Sequence, residues 1–327
     1  MEHNIGFVGL GAMGYAMAMN VRKYMDAKST MYVYDVHRPS CERFKTEFSK
    51  FGPIEIADSA KTVAENALAI VSIVPTGKSV KDVYLDEPTG IIAARGTKNG
   101  NLDASRLYLE CSTIDVATAK EIGATLKNVG MGTYIDSPVS GGVPAAEQGS
   151  LSFLLGTTQP DVHDAEIYPL KERMQTISGY MGAAEKTFFC GALGNGLAAK
   201  ICNNYLSCTI LLANCEAMAT GMRLGLDKHL LHQIIQNSSG QNFMADHVCP
   251  VPGVVAHAPS SNNYKLGFKS QMLVKDVGLG VDAARSVDIK PTIGEAAMKV
   301  YEKVAVDERF IDRDGSIVYR YLGGPEN

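Results

Sequence analysis

The 327-residue sequence has no apolar run approaching the roughly 20 residues that span a bilayer, so no membrane helix is expected. It has no block of basic residues either. Lys plus Arg is 31 and Asp plus Glu is 35, a net charge of −4, which argues against a nucleic-acid footprint or a polybasic membrane contact. The seven cysteines (41, 111, 190, 202, 208, 215, 249) are odd in number and contain no C-x-x-C pair. That pattern speaks against a disulfide framework or a zinc site, and for reduced thiols in a reducing compartment. The histidines are dispersed as well. His229 and His232 share a helix face, but no Cys or carboxylate completes a ligand set, so no metal is expected. The opening MEHNIGFVGL enters an apolar strand almost at once and leaves no room for a signal or transit peptide. A cytoplasmic location is expected, with the mitochondrial matrix left open, and the Asn237-Ser-Ser239 sequon would then never meet a glycosylating enzyme.

What is present is ordinary globular composition, 46% hydrophobic and 20% charged, with length enough for two domains. The first two-thirds alternate β-rich runs (Ile5–Val8, Met31–Val36, Ala69–Val74, Leu107–Cys111, Thr133–Ser137, Leu151–Gly156, Thr187–Cys190) with helical stretches such as Gly14–Tyr24, Ser59–Asn66 and Val116–Asn128. This alternation predicts an α/β, Rossmann-like domain with a largely parallel sheet. After Cys190 the texture becomes helical. Apolar or small residues at Leu197, Ile201, Tyr205, Cys208, Leu212, Cys215 and Met222 fit one long helix from Leu193 to about Leu224, with further helices at Lys269–Arg285 and Thr292–Val306. We therefore expect an N-terminal domain over 1–190 and an all-α domain over 191–327 built on that central helix. A helix apolar on most sides is covered by its own domain or by another subunit. Polar 95–106 and proline-rich 250–264 read as loops, and Met13, Met17 and Met19 as core filling on the first helix.

Gly9-Leu10-Gly11-Ala12-Met13-Gly14 is G-x-G-x-x-G directly after a strand and at the mouth of a helix. Each glycine has a job: Gly9 for the tight turn, Gly11 for close approach of a pyrophosphate, Gly14 for helix–strand packing. The phosphates would meet the helix N-terminus, where N–H groups and the dipole favour negative charge. Alone the motif is weak, but Asp35 ends the next strand, 21 residues after Gly14, where an acid accepts the adenosine ribose hydroxyls. Asp35 would repel a 2′-phosphate, which favours NAD over NADP, with Arg38 nearby as a partial offset.

In GALGNGLAAKICNN, at 191–204, Lys200 and Asn204 are four apart and share one helix face. A lysine on a mainly apolar helix is costly unless paired or neutral, and burial favours the neutral amine that a general base for an alcohol requires. Periodicity alone leaves the alternative open: a lysine that snorkels to solvent.

Together with GLGAMGYAMAMN at 9–20, DSPVSGGVPAAEQG at 136–149 and KDVGLGVDAA at 275–284, this stretch resembles the β-hydroxyacid dehydrogenase family, over nearly the whole chain and in the same order. NSSGQNF at 237–243 and VPGVVAHAPSSNNY at 251–264 resemble its 3-hydroxyisobutyrate dehydrogenase branch. The resemblance implies a catalytic lysine at Lys200 and substrate binding by Asn204 and by Ser140, Gly141 and Gly142, a turn whose N–H groups and hydroxyl suit a carboxylate. It implies cofactor contacts at Leu10, Ala12 and Met13 within the glycine turn, at Val74, Pro75, Ser79 and Thr113, and at Lys275 in the helical domain. Phe243, which borders the substrate pocket in this reading, stands where the branch usually carries tryptophan, and the stretches at 95–106 and 174–186 are longer than in the family.

The function so implied is NAD-dependent oxidation of a small 3-hydroxy carboxylate, 3-hydroxyisobutyrate to methylmalonate semialdehyde, in a homodimer or homotetramer. The alternatives are a reductase of a related semialdehyde or keto acid, and a noncatalytic NAD-binding scaffold. Reductive aminases and noncatalytic members of this fold replace the lysine, so Lys200 speaks against both.

Overall fold

The computed structural model describes residues 3–96, 104–159, 168–265 and 267–326, so part of the expected 95–106 loop lies outside the described residues. The chain divides into two compact units, Met1–Lys200 and Ile201–Asn327.

In the first unit six strands form a parallel sheet: β1 (Ile5–Val8), β2 (Met31–Tyr34), β3 (Ile54–Ile56), β4 (Ala69–Ser72), β5 (Leu107–Glu110) and β6 (Thr133–Asp136). Their order is β3-β2-β1-β4-β5-β6, the Rossmann order, which reverses between β1 and β4 and opens a crevice at the carboxyl ends of the strands. Helices α1 (Ala12–Tyr24), α2 (Arg38–Phe48), α3 (Ala60–Asn66), α4 (Gly77–Leu85) and α5 (Val116–Asn128) lie between the strands. Alternation along each strand feeds two cores. Phe7, Met31, Val33 and Leu109 join Met17 of α1 in one, while Val8, Ile70 and Tyr108 join Val63 of α3, Tyr84 of α4 and Ile122 of α5 in the other. Met13 and Met19 pack against the first core.

Local chemistry places the helix starts. Ser59 accepts a hydrogen bond from Thr62 N, Thr76 from Ser79 N and Asp115 from Thr118 N, and Pro39 stands in the first turn of α2. Arg22, fully buried, donates to the carbonyls of Asp26, Ser29 and Pro53 and so ties the end of α1 to the segment entering β3.

A second sheet follows: β7 (Val139–Ser140) pairs antiparallel with β8 (Leu151–Leu155), which pairs parallel with β9 (Gly182–Phe189). Helices α6 (Gly142–Gln148) and α7 (Tyr168–Met181) of this region pack on α1. Strand β9 begins earlier than the expected Thr187, and β3, β7 and α2 were not foreseen. β3 and β7 are only three and two residues long, too short to show a period, and α2 offers only Cys41, Phe44 and Phe48 as an apolar stripe among polar residues.

Helix α8 (Asn195–Arg223) runs from the first unit into the second, with bounds close to those read from its periodicity. The second unit adds α9 (Lys228–Gln236), α10 (Phe243–Val248), α11 (Ser270–Arg285), α12 (Thr292–Val306) and α13 (Val318–Tyr321). Tyr205 of α8 fills the space left by Gly280 of α11 and Gly294 of α12, and its hydroxyl accepts from Gly294 N at 2.8 Å. Tyr301 of α12 donates to Cys208 O at 2.6 Å. Asp227 and Asn242 cap α9 and α10. The 250–264 stretch is turns closed by a 3₁₀ turn at Pro259–Asn262. All seven cysteines are free thiols. Among the described residues no helix is long and apolar enough to cross a membrane, and no three His, Cys, Asp or Glu side chains are grouped to hold a metal.

Candidate active site

The glycine turn joins β1 to α1. Gly9 has φ +95°, and a Cβ there would lie 2.1 Å from Ile73 O, so both conformation and space require glycine. At Gly14 a Cβ would stand 2.0 Å from Gly9 O, which is the close helix–strand contact the motif implies. Around Gly11 a Cβ would meet nothing within 4 Å. The three glycines thus separate into two that are packed and one that faces open space, where a pyrophosphate needs room. An open groove of about 590 Å³ borders this turn, lined by Leu10, Gly11 and Ala12 on one side and by Tyr15, Arg43 and Glu147 beyond.

Asp35 stands one residue beyond β2. Its Oδ2 accepts from Leu10 N at 2.6 Å and its Oδ1 from His37 N at 2.7 Å. The carboxylate therefore holds the glycine turn from behind while each oxygen keeps a lone pair for a diol. Arg38 is engaged elsewhere: its guanidinium lies 2.8 Å from Asp58 and 3.7 Å from Glu42.

Beyond β4, Val74 is half-buried and Pro75 exposed; Ser79 lies in the first turn of α4, its hydroxyl 2.9 Å from that of Thr76. Thr113 is half-buried in the turn after β5. The loop at Val74 rests on a network that was not foreseen. Val74 N donates to Ser112 Oγ at 2.7 Å, and Ser112 N donates to Glu110 Oε1 at 2.8 Å. Ser72 Oγ donates to Glu110 Oε2, and the Tyr84 hydroxyl lies 2.7 Å from Ser72 Oγ. With Glu110 ionised, Ser72 gives its proton to the carboxylate and Tyr84 donates to Ser72; with Glu110 protonated, the acid can donate to Ser72 instead. Burial pushes Glu110 up to about 7, against the opposing pull of the bonds from Ser112 and Ser72. The rings of Tyr84 and Tyr134 meet edge to face, 5.1 Å apart, and burial together with nearby Glu110 raises both phenols. A final glutamate on an otherwise apolar strand was the available sequence signal.

Ser140 ends β7, half-buried, and Gly141 (φ +134°) and Gly142 (φ +70°) follow it in a turn open to solvent that only glycine adopts easily. Lys200 lies on α8 at 8% exposure, a buried position and not the snorkelling one. Asp136, also missed, ends β6 within the DSPVSGG stretch and accepts from Gly194 N and Leu197 N, both at 2.8 Å, at the start of α8. The first unit thus holds the glycine turn, Asp35, Val74, Pro75, Ser79, Thr113, Ser140–Gly142 and Lys200.

The second unit holds Asn204, Phe243 and Lys275. Asn204 Nδ2 donates to Asp276 Oδ2 at 2.7 Å, and Lys275 Nζ lies 3.7 Å from Asp276 Oδ1. Buried Asp276 thus brings two expected site residues together, though the spacing of 204 and 275 in sequence gives no hint of it. Phe243 opens α10, is 67% exposed, and lies against the His247 ring with centroids 4.5 Å apart and planes tilted by 42°.

A family profile described as the NAD binding domain of 6-phosphogluconate dehydrogenase matches residues 4–177. A second, described as NAD-binding of NADP-dependent 3-hydroxyisobutyrate dehydrogenase, matches residues 194–322. The chain belongs to the β-hydroxyacid dehydrogenase family. It is 36% identical over 318 residues to the mitochondrial 3-hydroxyisobutyrate dehydrogenase of Homo sapiens, covering 97% of this chain and 86% of that one. It is 32% identical to an NAD-dependent L-serine dehydrogenase of Pseudomonas aeruginosa, covering 97% of this chain and 96% of that one. A solved Mycobacterium tuberculosis 3-hydroxyisobutyrate dehydrogenase with L-serine superposes with a TM-score of 0.82 at 32% identity, covering 98% and 99% of the two chains. The protein is accordingly an oxidoreductase of this family with NAD as its cofactor, and the open space at Gly11 beside the Asp35 carboxylate fits that dinucleotide.

Two expectations follow. Gly14→Ala should cost about 1–3 kcal/mol of stability, as overpacking does, whereas Gly11→Ala should stay within about 0.5 kcal/mol yet weaken NADH binding. Urea denaturation and NADH titration check the pair; equal destabilisation would contradict the separation. For Glu110 the sign is set by a folded-state value above the unfolded one of about 4.3. The folded protein keeps the extra proton between there and about 7, so stability falls as pH rises through that window and levels off above it, by on the order of 3 kcal/mol in all. Glu110→Gln, which mimics the protonated acid, should flatten this slope in denaturation curves from about pH 5 to about pH 8.

Proposed function

We propose that this enzyme oxidises a small 3-hydroxy carboxylate with NAD, and that 3-hydroxyisobutyrate, giving methylmalonate semialdehyde, is its substrate. The observation that carries the reading is Lys200, buried on α8 in the same unit as the dinucleotide turn. In this reading residues 1–190 bind the cofactor, and 191–327 complete the substrate site and carry the contacts of a homodimer or homotetramer. Ser140 and the N–H groups of Gly141 and Gly142 hold the substrate carboxylate. Lys200 takes the hydroxyl proton as the carbinol carbon becomes a carbonyl, and Asn204, one turn further along α8, orients the substrate. When bound, NAD supplies the hydride acceptor. Val74 and Pro75 are assigned to its nicotinamide side, Ser79, Thr113 and Lys275 to further cofactor contacts, and the glycine turn and Asp35 to its phosphates and ribose. The engagement of Arg38 by Asp58 and Glu42 supports NAD over NADP, because the nearby cation is already occupied.

A second substrate is favoured by specific observations. A relative is named an NAD-dependent L-serine dehydrogenase, and the M. tuberculosis structure is described with L-serine. Serine is itself a 3-hydroxy carboxylate, with an ammonium in place of the C2 methyl. Both substrates satisfy the same carboxylate-to-hydroxyl spacing. Phe243, smaller than tryptophan, supports tolerance of a bulkier C2 substituent.

Lys200→Ala should lower turnover roughly 10²–10⁴-fold while NADH still binds; near-normal turnover would remove the lysine from the mechanism. NADH absorbance with 3-hydroxyisobutyrate, its methyl ester, 3-hydroxypropionate, L-serine and lactate should rank 3-hydroxyisobutyrate first, with the ester and lactate poor. An ester equal to the free acid would overturn the Ser140–Gly142 assignment, and a larger kcat/KM for serine would give the second substrate precedence. In kinetics with both cofactors, Asp35→Ala should narrow a wild-type preference for NAD, and a wild-type preference for NADP would reverse the reading of Asp35.

A further inference from the structure

Asp136 joins the two parts of the first unit on which the proposed chemistry turns. Its Oδ1 accepts from Gly194 N and its Oδ2 from Leu197 N, each at 2.8 Å, so both carboxylate oxygens bind the start of α8. Its own carbonyl accepts from Gly156 N at 2.8 Å, and Leu154 N donates to Pro138 O at 3.1 Å, which fastens the outgoing segment to β8. The contact leaves no slack. A Cβ on Gly156 would fall 1.8 Å from Asp136 Oδ1, and one on Gly196 would fall 2.2 Å from Leu154 O. Asp136 itself is fully buried. Four residues beyond it along the chain lies Ser140, and three residues beyond Leu197, on the same helix face, lies Lys200. One side chain therefore fastens the strand end leading into the serine–glycine turn to the helix that carries the lysine.

We propose that Asp136 is a positioning residue that sets the separation between the carboxylate turn at Ser140–Gly142 and Lys200, and thereby which carbon of a hydroxy acid is oxidised. The inference rests on the assignment of Lys200 and of that turn under Proposed function. A two-oxygen clamp resists both sliding and tilting of the helix end, whereas a single bond leaves it free to pivot. In Asp136→Asn one acceptor becomes an NH₂ group facing a backbone N–H, so one of the two bonds is lost and α8 shifts. Displacements of about 1 Å at reacting atoms cost on the order of 10²-fold in rate.

The test uses the isomers 3-hydroxypropionate and lactate, which differ only in where the hydroxyl sits, with NADH titration counting the folded fraction. Asp136→Asn, and independently Gly156→Ala, which crowds the same carboxylate, should lower kcat on 3-hydroxypropionate by about 10–100-fold. NADH affinity should stay within about twofold, and any measurable preference over lactate should narrow. Turnover within about threefold of wild type in Asp136→Asn would overturn the proposal. So would parallel loss of NADH binding, since a fold-wide role would then explain the residue. Lys200→Ala measured alongside separates the two failures. A fully active Lys200→Ala removes the underlying assignment, whereas an inactive one beside a normal Asp136→Asn removes only the joint.

Discussion

Parallel strands all end on one edge, and the turns leaving that edge carry backbone N–H groups with no partner in the ladder. Buried N–H groups must be paired, and here acidic side chains at or just beyond the strand ends pair them. Asp35 after β2 takes Leu10 and His37, Glu110 at the end of β5 takes Ser112, and Asp136 at the end of β6 takes Gly194 and Leu197. Register puts Ser72, Glu110 and Asp136 opposite one another across β4, β5 and β6, so the polar row is continuous where the sheet is otherwise apolar. The Val74 loop and the start of α8 hang from that row, and the glycine turn hangs from Asp35.

The three carboxylates differ in what surrounds them. Asp35 is half-buried and has lone pairs to spare, as a ribose-binding acid needs. Glu110 is buried, and burial outweighs its hydrogen bonds enough to raise it to about 7. Burial raises Asp136 too, but N–H donors from Gly194 and Leu197 oppose the rise. Burying such groups is costly, and the return is rigidity in the turns, where small displacements matter most to a reaction.

The helical unit holds buried acids too: Asp314 accepts from Phe268 N and Ser316 N. Asp276 accepts from Asn204 and lies beside Lys275, linking α8 to α11 where the family resemblance assigns a substrate contact and a cofactor contact. What distinguishes the two candidate substrates is the C2 substituent. A methyl requires apolar surroundings, whereas an ammonium requires acceptors or an acid. On the proposed reading, selection between 3-hydroxyisobutyrate and serine falls to the wall around C2, and hydroxyl position to the Ser140-to-Lys200 spacing.

Elements with a long period or a local chemical mark were legible in the sequence: α5, α8, α11 and α12, the strands that enter the two cores, the glycine turn, and Asp35 at the end of β2. Periodicity and turn chemistry are local properties, so neighbouring residues suffice to reveal them. Lys200 shows the limit, since spacing left a solvent-facing and a buried lysine equally open and only packing put it at 8% exposure. Strands β3 and β7 were too short to carry a pattern. Glu110, Asp136 and Asp276 escaped for a further reason. Each acts on groups up to 72 residues away in the chain, and a carboxylate's partners are chosen by which strand ends and helix starts the tertiary structure brings within hydrogen-bond reach.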